Sequence, residues 1–383
     1  MALHFPLEEY DDRRAQVLEK MDERHLDALL IFAQESMYWL TGYDTFGFAF
    51  FQCLIFTRKD EFVLFTRAPD LRQAKHTSLI DDVRVWQERG ARNPAGPLRD
   101  LLDDLDLLGA RIGVEYNTHG LIGSNARVLD EMLRSFARAE DASDLIPPLR
   151  AVKSPAEIAI VRQAAAYGDA ALEAGIAAIE PGAAEGHILA AMQSAVFEAG
   201  GDYPGNPFVI GSGPDALLCR YKSGRRKLEP QDQITMEIAG VAHHYHAALM
   251  RTVIVGEPTK RHLELYESAR ETIAAIEEVL KTGTKFADVF ETYARESDSR
   301  GLAPHRLNAC GYSLGARFAP SWMDWPMFYR DNRAEVVPDM VLFVHIILAD
   351  SSSETAMTLG RTYLTTDGAP EPLSKLSLDL VTK

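Results

Sequence analysis

The stretch Gln233-Ile234-Thr235-Met236-Glu237-Ile238-Ala239-Gly240, followed after a turn by His243-His244-Tyr245-His246-Ala247-Ala248-Leu249-Met250-Arg251-Thr252, decides how this chain is read. A carboxylate interrupts an otherwise apolar strand at Glu237, and a charge in such a place needs either a partner or a task. Two strands joined by a short connection containing glycine make a hairpin. Side chains alternate along a strand, so if Glu237 and position 248 face one cavity, His244 and His246 share that face. The bland alternative pairs Glu237 with Arg251 as a structural ion pair.

Working outward, the hairpin belongs to a pattern that occurs twice. Residues 176–182 (Ile-Ala-Ala-Ile-Glu-Pro-Gly) end one helix and precede a second, over 184–199. Residues 276–283 (Ile-Glu-Glu-Val-Leu-Lys-Thr-Gly) do the same before a helix over 286–300. Gly-rich strand segments follow each pair, over 208–254 and 311–365. A duplicated helix–helix–sheet unit predicts a site at the seam between the halves. The preceding boundary falls near Ile146-Pro147-Pro148, since proline restricts itself and its predecessor. Ser154 then reads as an N-cap, with Pro155 at the first helical position and Glu157 at the third, before a helix reaching about Ile179.

The first 150 residues alternate helix (8–24, 98–108) with strand (26–32, 52–56, 62–66, 111–115), which predicts an α/β layer. No GxGxxG follows any strand, so dinucleotide binding has no support. The aromatic set Trp39, Tyr43, Phe46, Phe48, Phe50 and Phe51 reads as core or as a dimer contact. The net charge of −16 argues against nucleic-acid or anionic-membrane surfaces, which need clustered Lys and Arg. The cluster Lys222, Arg225, Arg226, Lys227 reads as a solvated turn. The opening Met1-Ala2-Leu3-His4-Phe5-Pro6 shows no signal-peptide pattern, and no apolar run reaches the length of a membrane span. Three widely spaced cysteines, Cys53, Cys219 and Cys310, read as reduced thiols, so a cytoplasmic location is expected.

An acid-bearing strand, a turn, then Tyr245 and Arg251-Thr252 before an apolar run resembles the metal-site hairpin of the creatinase/aminopeptidase P superfamily. Further motifs follow in the superfamily's order. Gly311-Tyr312-Ser313-Leu314-Gly315 stands where its peptidases carry Gly-His-Gly-x-Gly. The segments 338–345, ending at His345, and 358–368 resemble its last two site strands. The resemblance covers residues 150–370 and is only in outline before that. It implies an α/β N-terminal accessory domain (1–150) plus an α+β pita-bread catalytic domain (151–383) with an internal pseudo-twofold repeat. It also implies a homodimer.

Carried over position by position, the peptidases' ligands for two divalent ions fall on Glu237, Ala248, Tyr312, His345 and Gly360. Too few hard donors remain for such a clamp. The expectation is therefore no metal and no other cofactor. Metal-free branches of the superfamily include creatinase and the ectoine hydrolases. The latter resemble this chain at Trp39 to Asp44, Gly201-Asp202-Tyr203-Pro204, Glu237 to Gly240, Tyr245-His246, Gly311 to Gly315 and Ala319-Pro320-Ser321-Trp322. One departure stands out: where both groups carry a histidine after a Ser-Gly-x-Asp/Asn-Ala turn, here Ser212 to Ala216, this chain has Arg220. An arginine cannot serve as an ordinary base, but it can clamp a carboxylate.

The expected chemistry is metal-independent hydrolysis of a C–N bond, amidine or amide, in a small carboxylated substrate. Glu237 is the candidate acid/base or nucleophile, and His246 or His345 the second proton carrier. Arg220, Tyr312, His244, Arg251 and Trp322 make up the substrate-binding set. Three alternatives stay open: an Xaa-Pro peptidase-like enzyme, a mononuclear site built from Glu237, His246 and His345, and a degenerate member that only binds a ligand.

Overall fold

The computed structural model describes residues 3–87, 93–220 and 224–383. Met1, Ala2 and Lys222 lie outside the described residues. The chain forms two compact units, Met1–Arg150 and Ala151–Lys383.

Among the described residues, the first unit contains α1 (Leu7–Glu23), β1 (Ala28–Ile31), α2 (Gln34–Thr41), β2 (Cys53–Thr57), β3 (Phe62–Arg67), α3 (Asp70–Thr77), β4 (Asp82–Trp86), α4 (Ala95–Asp104), β5 (Arg111–Val114), α5 (Gly123–Leu133) and β6 (Arg138–Asp141), with α6 (Ile146–Ala151) at its end. The strands form one mixed sheet in the order β4-β3-β2-β1-β5-β6. Every residue of β1 and β2 is buried. Their alternate side chains feed two separate apolar clusters, Leu30 and Ile55 in one, Leu29 and Leu54 in the other. A sheet covered on both faces reads as continuous apolar runs. Trp39, Tyr43 and Phe51 are buried, whereas Phe46 and Phe50 are exposed.

The second unit opens with α7 (Pro155–Ala177), capped as the sequence predicts: Glu157 N–H donates to Ser154 Oγ, and Ser154 N–H donates to Glu157 Oε2. Then follow α8 (Glu185–Glu198), β7 (Val209–Ser212), β8 (Asp232–Ala242), β9 (Tyr245–Val255), α9 (Lys260–Val279), α10 (Phe286–Asp298), β10 (Gly311–Ser313), β11 (Asp324–Met327), β12 (Val341–Asp350) and β13 (Thr355–Leu364). Two short strands, β14 (Glu371–Pro372) and β15 (Val381–Thr382), add to β13 and β9. The main path runs β11-β10-β12-β13-β9-β8-β7. Six of its seven strands, β10 to β7, mirror one another about the β13–β9 contact: β13 matches β9, β12 matches β8 and β10 matches β7. Each half also carries its own helix pair, so the repeat read from the sequence is a repeat in space.

Register assigns the faces. Glu237 pairs with Met250, Met250 with Gly360, and Gly360 with His345. These four therefore form one row on one face. The opposite face, through Leu342, Val344, Ile346, Met357 and Leu359, packs on α9 and α10. In the first half α7 lies on that same covered face. A Cβ at Gly240 would come 1.9 Å from Ala164 O and 2.2 Å from Gly168 N, so helix and hairpin approach closer than any side chain permits.

The sheet is strongly curved. β10 and β8 are four strand spacings apart, roughly 19 Å if the sheet were flat. Yet the segment after β10 bridges back to β9 at Tyr245 and Ala316, and His246 N–H donates to Gly315 O. The row thus lies on the inside of a bowl.

Substituting Gly240→Ala should separate α7 from the hairpin and lower stability by about 1–3 kcal/mol, the usual cost of overpacking. Urea denaturation of the full chain checks this, and an unchanged midpoint would contradict the packing.

Candidate active site

Glu237 sits in the middle of β8 on the concave face, beside a small, largely apolar pocket whose lining includes Val209, Leu217, Cys219, Thr235, Met250 and Ile347. The pocket lies over the next row of the sheet, Thr235–Thr252–Thr358–Ile347. There Thr252 Oγ1 is 3.4 Å from Thr235 Oγ1 and 3.1 Å from Thr358 Oγ1. Burial raises the Glu237 carboxyl to about 7, against the opposing effects of a hydrogen bond from Tyr312 and the charge of Arg220. Near neutral pH both its forms are accessible, as general acid–base catalysis requires.

Tyr312, on β10, donates its hydroxyl proton to Glu237 Oε1 at 3.1 Å. Trp322 Nε1–H donates to the Tyr312 hydroxyl at 2.8 Å. Burial, followed by the Glu237 charge, lifts the Tyr312 phenol well above its usual value, so it stays protonated. His345, on β12, has its ring 5.7 Å from Tyr312 and 5.3 Å from Phe343. Burial, with the charge of Arg220, lowers its imidazole to about 4. Its Nδ1 is buried without a hydrogen-bond partner among the described residues. A buried imidazole nitrogen left open costs free energy, and such exceptions concentrate where a ligand or water belongs.

Arg220 is not on a strand, contrary to the sequence reading. It occupies an exposed turn after the short 3-10 helix Gly213–Leu217, and its charge still reaches Glu237, Tyr312 and His345. Proline at the second position of that helix and the tight turn at Gly213 explain the difference.

Four other expectations need correction. Arg251 is not substrate-facing: it pairs with Leu359 and so points to the helix-covered face. Its guanidinium donates to the carbonyls of Met250, Gly360 and Ser377, and burial lowers it to about 10. It therefore does not pair with Glu237 either. His244 lies in the hairpin turn at φ +63°, outside the alternation that begins at Tyr245, and its ring stacks on Phe318 at 4.1 Å. His246 does share the Glu237 face, through its pairing with Val241, but its nitrogens are committed. Nε2 accepts from Gly205 N–H at 2.8 Å and Nδ1 lies 3.4 Å from Gly315 O. Burial lowers the ring to about 3, so it is a neutral clamp between two loops rather than a proton carrier. Trp322 is buried, and its indole N–H goes to Tyr312 rather than to the pocket. Gly205 is needed here, because a Cβ would come 2.8 Å from Trp322 N.

A dinuclear centre does not fit these residues. Ala248 carries no donor, and its backbone N–H and C=O are both bonded to the Thr362 hydroxyl. At Gly360 a Cβ would come 2.9 Å from Val344 O and 3.0 Å from His345 Cβ. The Tyr312 hydroxyl is engaged on both sides. The mononuclear alternative fails at His246, and among the described residues no three His, Cys, Asp or Glu converge to hold an ion. Two contributors escaped the sequence reading. The threonine row carried a signal, one threonine at matching positions of three strands; Cys219 as a pocket wall carried none.

Residues 159–367 match metallopeptidase family M24, and residues 13–152 match the creatinase/prolidase N-terminal domain. The ectoine hydrolase of Halomonas elongata is 26% identical, over 100% of this chain and 99% of that protein. The Xaa-Pro dipeptidase of Pyrococcus furiosus is 22% identical over 87% of this chain and 89% of its own. In structure, the prolidase of Pyrococcus horikoshii superposes with a TM-score of 0.84 at 20% identity, covering 97% of this chain and 100% of that one. The pita-bread fold and the match over more than half the chain agree: this protein belongs to metallopeptidase family M24, a family of hydrolases, and carries the N-terminal domain of creatinases and prolidases.

Proposed function

We propose that the protein hydrolyses a C–N bond, amide or amidine, in a small carboxylated molecule without a metal ion. The observation that supports this best is the row Glu237–Met250–Gly360–His345. Of the five positions where the peptidases hold their ions, only its two ends carry a carboxyl or an imidazole: Glu237, raised to about 7, and His345, neutral at physiological pH. Similarity to an ectoine hydrolase over the whole chain agrees with a non-peptide substrate.

Glu237 takes the proton from an attacking water and returns it to the leaving nitrogen. His345, neutral across the physiological range, offers its open Nδ1 as the second proton-handling group. Arg220, at the exposed rim, receives the substrate carboxylate; its planar fork suits two parallel hydrogen bonds.

Metal-stripped protein should turn over ectoine-, creatine- or N-acyl-amino-acid-like compounds equally well with and without EDTA. Absence of turnover, together with Xaa-Pro cleavage that appears on adding Mn²⁺ or Co²⁺, would contradict the reading. Arg220→Met should raise KM about tenfold or more at similar kcat, matching the loss of a charge-assisted bond.

The pH dependence follows from Glu237. As a base it makes kcat/KM rise through about pH 7, and Glu237→Gln should lower kcat by about 100-fold or more. Stability changes in the opposite sense. The folded value lies above the unfolded one, so the contribution is complete below the unfolded pKa and is lost as pH rises through about 7. Glu237→Gln should therefore lose less stability than the parent between pH 5 and pH 8 in urea titrations. Parallel pH profiles would contradict this.

A further inference from the structure

Trp322 and Tyr312 have a fixed order of proton donation, and it reaches Glu237. An indole nitrogen can only donate, whereas a phenol has one proton and accepts through its oxygen. Trp322 Nε1–H points at the Tyr312 oxygen, so the tyrosine's own proton is directed to its other neighbour, Glu237 Oε1. Reversal is barred because Trp322 cannot accept.

We infer that Trp322 is a positioning residue that acts on Glu237 through Tyr312, holding the tyrosine proton on the carboxylate and keeping it away from substrate. This rests on the proposed role of Glu237 for its consequence, but its geometry stands apart from that role. Trp322 is itself fixed from behind. Its backbone N–H donates to Asn206 Oδ1 at 3.2 Å, and the adjoining Gly205 N–H donates to His246 Nε2. His246, buried and neutral, thus anchors the loop that anchors the indole. Hydrogen bonds in such a chain polarise one another inside a low-dielectric interior. The bond from Trp322 makes Tyr312 a stronger donor, which favours the ionised form of Glu237 against its burial. With its only proton committed, Tyr312 does not protonate a leaving group, which leaves that task to Glu237.

The test uses full-length protein with ¹⁵N-labelled tryptophan. The Trp322 indole signal, one of four, is assigned by its loss in Trp322→Phe, or by elimination with Trp39→Phe, Trp86→Phe and Trp325→Phe if that variant does not fold. Tyr312→Phe should move the signal strongly upfield, because the acceptor is gone. Glu237→Gln should move it less, and the Glu237→Gln shift should vanish in the Tyr312→Phe background. An equal Glu237→Gln shift with and without the tyrosine hydroxyl would reveal a through-space field and overturn the inference, as would no shift in either single variant. Failure of turnover alone would instead count against the proposed function.

Discussion

The contact between β9 and β13 governs the rest of the catalytic unit. Each half builds a long hairpin with its own helix pair, and the β9–β13 ladder, with Met250 opposite Gly360 at its centre, joins the two hairpins into one sheet. Because alternation along a strand is strict, a slip of one residue there would send His345 to the helix side while Glu237 stayed in the bowl. The apolar seal of α9 and α10 against Leu342, Val344 and Ile346 resists such a slip. The site is thus a consequence of sheet register, and register is held by the core on the opposite face.

Curvature is the second ingredient. A flat sheet would leave Tyr312 and Glu237 beyond reach of each other, since four strand spacings separate β10 from β8. The return of residues 314–317 to the start of β9 bends the sheet until the phenol meets the carboxylate. Ala248 and Gly360, where peptidases would place ligands, present almost no side chain, and Tyr312 supplies the polar contact to Glu237 instead. The departure from the peptidase donor set is therefore concerted: the loss of ligands coincides with a hydrogen-bonded chain running from Trp322 to Glu237.

Much of this was legible in the sequence, for reasons that can be named. Serine, proline and glutamate at 154, 155 and 157 fix a helix start, and the structure has the capping box formed by Ser154 and Glu157. Alternation put Glu237 and His246 on one face of the hairpin. Applied one step further it also excludes Arg251, an odd number of residues from position 248. His244 escaped because a turn with positive φ ends the alternation. The strands β4 and β6 lie at the sheet edges with partly exposed side chains: β6 is mostly polar, and in β4 the apolar residues are interrupted by Arg84. The commitments of His246 depend on Gly205 and Gly315, 41 and 69 residues away, and no local pattern reports such contacts.

Under the proposed function, the row ending in Glu237 and His345 handles protons rather than holding metal ions. Titration calorimetry of the chelator-treated, untagged full chain with Mn²⁺, Co²⁺ and Zn²⁺ addresses it most directly. The expected result is no stoichiometric tight binding to the parent protein, and no difference from Glu237→Gln or His345→Ala. One or two equivalents bound tightly, and lost in both variants, would contradict it.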